Sequence, residues 1–218
     1  MARPDETKRR YEDACGTAHA LELIGDRWTL LVLRELMLGP RRFSELRADL
    51  PGISARVLTQ RLTELEERGV VQKKVLPAPA NVQVYDATPW GREAESILQE
   101  MGRWAARSPG HDTTLPLSAV SVLLSFRTMI DREKAAKRDL ALRFDFPNRS
   151  YGARLDAGQL TYGEPQDDPD VVLAGAPEAF AGVAYGGAPL DLVFVDGDRA
   201  AAQHFFSLFS LPPKVEGH

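Results

Sequence analysis

The 218-residue sequence predicts an α+β protein in two parts: a mainly helical half with one β-hairpin, then an α/β half. Three observations predict it. Apolar residues recur at helical spacing through most of the first 107 residues, interrupted once by two alternating stretches. Pro, Gly and small polar residues cluster at Ser108-Pro109-Gly110-His111-Asp112, as expected of a linker. Beyond it, from 113 to 218, alternating strand-like stretches and helical ones follow one another. The predicted domains are therefore 1–107 and 113–218.

In the first half, Asp26 is placed to cap a helix over residues 27–37 with apolar Trp28, Leu31, Val32 and Leu36; Gly39-Pro40 stops it. A short helix bearing Phe43, Leu46 and Leu50 follows, then the turn Pro51-Gly52. Ser54 is an N-cap, and Ile53 and Leu58 have the spacing of a hydrophobic staple. That helix runs through Leu62 and Leu65 to Gly69. Leu58, Leu62 and Leu65 share one face; Arg56, Gln60 and Thr63 lie opposite, with Thr59 on the flank. Residues 70–76 and 82–87 alternate around a Pro-rich turn ending in Asn81, which predicts a hairpin. Thr88-Pro89 opens a final helix whose stripe Trp90, Ala94, Ile97, Leu98, Met101 and Trp104 is bulky enough to predict packing against another chain.

Composition narrows the function. The first 107 residues carry 17 Lys and Arg against 16 Asp and Glu, and the rest 10 against 15, so the net charge of -4 originates in the second half. Nucleic-acid contact then depends on local placement of charge in the first half. No apolar run approaches the ~20 residues of a membrane helix, and the charged start lacks an apolar signal core. The single cysteine, Cys15, fits a reducing cytoplasm. No nucleophile triad, phosphate loop or dinucleotide fingerprint is recognisable, and His19, His111, His204 and His218 are scattered, so neither an enzyme nor a cofactor is expected.

A short helix, a tight turn and a second helix with a small polar outer face form a helix-turn-helix. A DNA-reading helix must bury one stripe and offer the other to the major groove. Gln60 suits adenine and Arg56 guanine. Ser54, Thr59, Thr63 and Arg42 suit phosphates or base edges, and Lys73, Lys74 and Asn81 place a wing along the backbone. Taken alone, the helix reads as a solvated amphipathic one.

The stretches Leu23-Ile24-Gly25-Asp26-Arg27-Trp28-Thr29, Leu33-Arg34-Glu35-Leu36, Gly39-Pro40-Arg41-Arg42-Phe43-Ser44-Glu45-Leu46, Leu50-Pro51-Gly52-Ile53-Ser54, residues 57–66 and Thr88-Pro89-Trp90-Gly91-Arg92 resemble the HxlR family of winged-helix regulators. The resemblance spans residues 13–106. It implies a MarR-like homodimer joined through its terminal helices, cytoplasmic residence, and binding of double-stranded operator DNA, with repression the expected outcome. The family usually has Cys-Pro near its start, where this chain has Cys15-Gly16. Some relatives sense oxidants or electrophiles through such a cysteine. Cys15 and His19 are four apart on a predicted helix, so an imidazolium could activate the thiol. A buried, inert cysteine is the stronger expectation.

In the second half, Leu140, Leu142, Phe144 and Phe146 alternate with polar or small residues, as do Tyr151, Ala153 and Leu155. A helix near 118–130 precedes them. A turn at Asp156-Ala157-Gly158, strands at 160–162, 171–173 and 190–195, a helix begun by Pro177 and a last helix capped by Asp198 complete the prediction. Leu142-Arg143-Phe144-Asp145-Phe146, residues 170–180, Gly197-Asp198-Arg199-Ala200-Ala201 and the Phe205–Phe209 stretch resemble the sterol-carrier-protein-2-like fold, which encloses apolar molecules. That resemblance implies an effector pocket lined by Phe205, Phe206 and Phe209. The alternative is that these rings are core and the domain purely structural.

Overall fold

Local signals build most of the first unit. In the computed structural model, which describes residues 11–216, the chain divides into two units between Glu95 and Ser96. The first contains α1 (Gly16–Ile24), α2 (Thr29–Glu35), α3 (Phe43–Asp49), α4 (Ala55–Glu67), β1 (Val71–Val75), β2 (Gln83–Ala87) and α5 (Pro89–Glu93). Ser54 caps α4 by accepting from the Val57 N–H at 3.2 Å, and Ile53 and Leu58 are both buried. Gly69, at φ 71°, supplies the left-handed residue that ends the helix. Thr88 caps α5 by accepting from Gly91 N–H at 3.0 Å. A Cβ at Gly91 would stand 2.1 Å from the Val70 carbonyl oxygen, so only glycine lets α5 lie against the start of β1.

The core of this unit joins α2, α3 and α4 through Val32, Leu33, Leu36, Leu46, Leu50, Leu58, Leu62 and Leu65, all buried. Each such leucine contributes about 1.5–3 kcal/mol over its exposed state. β1 and β2 pair antiparallel, with Lys73 opposite Tyr85 and Lys74 opposite Val84. Arg41 exchanges both backbone hydrogen bonds with Tyr85 at 2.8 Å, adding a one-residue third strand at the base of the hairpin.

Two expectations here are corrected. The second helix starts at Thr29, not Arg27, and Trp28, at φ 79°, takes the N-cap position expected of Asp26. The Asp26 carboxylate pairs instead with Arg61. The helix predicted from Pro89 to Trp104 is broken at Ala94, whose N–H turns back to Gly91 O three residues earlier.

The second unit contains α6 (Glu95–Ala106), whose first residue is shared with the boundary, α7 (Ala119–Met129), α8 (Arg132–Ala135), β3 (Leu140–Phe146), β4 (Arg149–Asp156), β5 (Gln159–Gly163), β6 (Val171–Ala174), α9 (Pro177–Tyr185), β7 (Phe194–Gly197) and α10 (Arg199–Phe206). The five-stranded sheet has the order β5-β4-β3-β6-β7; β3 and β6 are parallel and the other pairs antiparallel. Residues 190–192, expected in a strand, form a 3-10 turn after Pro189, so the last strand begins only at Phe194. Leu140, Leu142, Phe144 and Phe146 face the core, as the alternation requires.

That core is aromatic. Phe126 of α7 is fully buried; its ring stacks on Phe209 at 4.5 Å and meets Phe205 edge-on at 5.8 Å. α6 is tied into the same unit. Arg103 donates to the Thr128 carbonyl of α7. At the end of α6, Lys214 Nζ donates to the carbonyls of Ala106 (3.0 Å) and Ser108 (2.9 Å), and Val215 N–H to that of Arg107 (2.9 Å). A cation and a donor thus satisfy carbonyls that the helix leaves open. Among the described residues, no helix is long and apolar enough to cross a membrane.

Candidate nucleic-acid interface

α4 separates its two faces cleanly. Leu58, Leu62 and Leu65 are at most 1% exposed, while Arg56, Thr59, Gln60 and Thr63 all face solvent. Any change that rotated the helix by one residue would bury this polar row, so the leucine stripe fixes what the helix presents. Gln60 Nε2 donates to Glu64 Oε1 at 3.0 Å, which orients its amide along the helix. Ser54 and Arg42 are exposed at the starts of α4 and α3, and the Arg42 N–H donates to Glu45 Oε2 at 2.8 Å.

The wing is less simply basic than its sequence. Lys73 Nζ lies 2.7 Å from Glu66 Oε2 and 5.7 Å from the Tyr85 ring centre; the neighbouring carboxylate raises the lysine pKa. Lys74 Nζ lies 2.7 Å from Asp86 Oδ2. Asp86 is buried and also takes Arg92 at 2.5 Å, so Lys74 helps to neutralise a charge at the hairpin base. An exposed pair such as Lys73–Glu66 is worth only about 0–1 kcal/mol, little enough for a phosphate to displace it. Asn81 is exposed at the hairpin turn.

Several groups at this site escaped the sequence reading. Ser44 and Arg47 are exposed on α3. Arg61 is 6% exposed and lies on the leucine face, where it pairs with Asp26 Oδ2 at 2.5 Å and Glu64 Oε2 at 2.9 Å. Its signal was available: a cation on the apolar face of an amphipathic helix requires a buried counter-charge.

Cys15 is exposed at the start of α1, correcting the expected burial, because the residues around it reach no core. Hydrogen bonding with the Thr17 N–H and hydroxyl and the Ala18 N–H lowers its thiol pKa. His19 does not reach the thiol; its Nδ1 lies 3.2 Å from Glu22 Oε2. Phe205, Phe206 and Phe209 are 0%, 6% and 6% exposed and pack against Phe126, Phe144 and Phe180.

A family model described as HxlR-like helix-turn-helix matches residues 23–112. HTH-type transcriptional regulator YodB of Bacillus subtilis (strain 168) is 40% identical over 86 residues, which cover 39% of this chain and 77% of YodB. The chain belongs to the HxlR-like helix-turn-helix family. YkvN, an uncharacterized HTH-type transcriptional regulator of the same organism, is 41% identical over 92 residues, covering 42% of this chain and 77% of its own length. The solved structure of the reduced form of YodB from B. subtilis aligns over 46% of this chain and 100% of its own, with 35% identity and a TM-score of 0.41. This HxlR-family protein is a DNA-binding transcriptional regulator.

Proposed function

We propose that the regulator binds an inverted-repeat operator as a homodimer in the cytoplasm, inserting α4 of each copy into the major groove and repressing the adjoining gene. The observation that carries this reading is the exposed row Arg56, Thr59, Gln60 and Thr63 opposite a fully buried leucine stripe. Arg56 and Gln60 read base edges. Ser54, Thr59, Thr63, Arg42, Lys73, Lys74 and Asn81 hold phosphates on either side.

The dimer follows from apolar faces that each unit leaves uncovered. On α6, Ile97, Met101 and Trp104 share one face and are 43%, 48% and 77% exposed. On α1, Leu21 is 50% exposed. A second copy of the chain covers both, as the family resemblance implies. The tight phenylalanine packing favours a structural role for the second unit, which anchors α6 through Arg103, Lys214 and Val215. Its order of strands and helices supports a sterol-carrier-protein-2-like likeness. The alternative is an apolar effector held beside Phe205, Phe206 and Phe209.

The test separates reading from positioning. Arg56→Ala and Gln60→Ala are expected to lose about 1–3 kcal/mol on the operator and to relax base preference at one position of each half-site. Lys73→Ala and Lys74→Ala are expected to weaken all sequences alike and to flatten the salt dependence. A uniform loss in all four, measured by fluorescence anisotropy over a salt series, contradicts the assignment of helix and wing.

The exposure and lowered pKa of Cys15 favour a second reading, in which an oxidant or electrophile modulates binding through this thiol. A group whose pKa is depressed stays reactive to lower pH, so alkylation of Cys15 should reach half its maximal rate below the ~8.5 of a free cysteine. Treatment with an electrophile should change operator affinity in the wild type and leave Cys15→Ser unmoved. Equal responses in the two proteins would remove the sensor reading.

A further inference from the structure

α1 is held to the rest of its unit in an unusual way. Ala18 alone of its residues is buried, so apolar packing fixes the helix only weakly. Two arginines of α4 supply what packing does not. Arg68, the residue that closes α4, donates Nη1–H to the Leu23 carbonyl at 2.6 Å. That carbonyl belongs to the last turn of α1, where open acceptors and the negative end of the helix dipole favour a guanidinium. Arg61 pairs with Asp26, two residues beyond the end of α1.

The second contact does not stop at Arg61. Its Nη1 also lies 2.9 Å from Glu64 Oε2, and the other oxygen of Glu64 accepts from Gln60 Nε2 at 3.0 Å. A continuous polar chain therefore runs from Asp26, at the corner after α1, through Arg61 and Glu64 to Gln60 on the outer face of α4. Arg61 is 6% exposed, and Glu64 is half-buried, so water competes poorly for their charges. The Trp28 ring, at the corner after α1, also lies near the turn before α4, where a Cβ on Gly52 would stand 3.7 Å from it. Residues at and just beyond the end of α1 thus meet α4 at its middle, through Asp26, and at its end, through Leu23.

We propose that Arg61 and Arg68 are positioning residues that lock α4 to the C-terminal end of α1, and so set the separation and orientation at which two copies present their reading helices to an operator. The proposal rests on the dimer reading above, in which α1 meets a second copy. A helix fixed to the partner on one side and to α4 on the other determines where α4 stands relative to its symmetry mate. Weakening the brace leaves each reading face intact but lets the two faces drift relative to each other. The expected signature is therefore loss of spacer discrimination, with half-site recognition retained.

The experiment uses the full chain and an operator selected from random DNA. Asp26→Asn with Arg68→Gln is compared with the wild type on three duplexes: the selected operator, the same operator with one base pair added between half-sites, and a single half-site. Sedimentation reports mass on the same samples. The wild type should prefer the selected spacing by about tenfold or more. The double variant should remain a dimer, bind the single half-site within about twofold of the wild type, and discriminate the spacers less than about threefold. Should the double variant fail to fold, Arg68→Lys, which keeps the cation but not the fork, takes its place with the same readout and an intermediate discrimination expected. A dimeric variant with full spacer discrimination overturns the proposal while leaving the dimer reading standing. A wild type that is monomeric on DNA overturns both. A loss equal on all three duplexes marks Arg61 and Arg68 as ordinary stabilising residues and also overturns it.

Discussion

Met101→Asp is expected to convert the regulator to a monomer and to lower operator affinity by roughly 10²–10⁴, the gain that a second linked head supplies. Met101 is 48% exposed in one copy, so the aspartate meets water there and the fold of the monomer is undisturbed. In the dimer the same side chain is covered, and a carboxylate without a partner in an apolar interface costs several kcal/mol. Ile97 and Trp104, one turn away on either side, amplify the effect because the charge lands in the middle of their stripe. Affinity for a single half-site should stay within about twofold, since α4 is untouched. Sedimentation of the free protein and anisotropy on whole and half operators read the two effects separately. A dimer that survives Met101→Asp places the interface elsewhere.

Phe126→Ala is expected to cost about 3–5 kcal/mol in the second unit, a large share of the 5–15 kcal/mol typical of a whole domain. Phe126 is 0% exposed and its ring meets Phe144, Tyr185, Phe205, Phe206 and Phe209 within 6.4 Å. The rings around it belong to different helices and to β3, so they cannot collapse together into the space left behind. Urea unfolding followed by circular dichroism should show the midpoint falling while the slope is unchanged. The variant should also dimerise less well, because α6 hangs from α7 through the Arg103 contact to Thr128. A loss below about 1 kcal/mol would show that the rings enclose open space, and would return Phe205, Phe206 and Phe209 to the role of pocket lining.

What the sequence revealed and what it hid divide along a physical line. The α4 helix was legible because its signals are local: a serine cap, a leucine stripe and a closing glycine within sixteen residues. The hairpin and the strand from Leu140 to Phe146 were legible for the same reason, each carrying its own period. Three features depend on residues far apart and were not. Asp26 looked like a cap because its true partner, Arg61, lies in another helix. The closing group of the helix of residues 95–106 was hidden because Lys214 is 108 residues from Ala106. The wing lysines looked like simple phosphate contacts because Glu66 and Asp86 meet them only after folding. Cys15 is a different case: burial is the common fate of cysteine, but α1 has too few core contacts to provide it.

The central claim is that two copies read one operator through α4. Hydroxyl-radical footprinting of the full chain on its selected operator, with the mass of the complex measured in parallel, tests it most directly. The account predicts two protected half-sites related by a dyad, centred one helical turn apart or a multiple of it, about 34–36 Å per turn, and a complex of two chains per duplex. A single protected patch bound by one chain would contradict it.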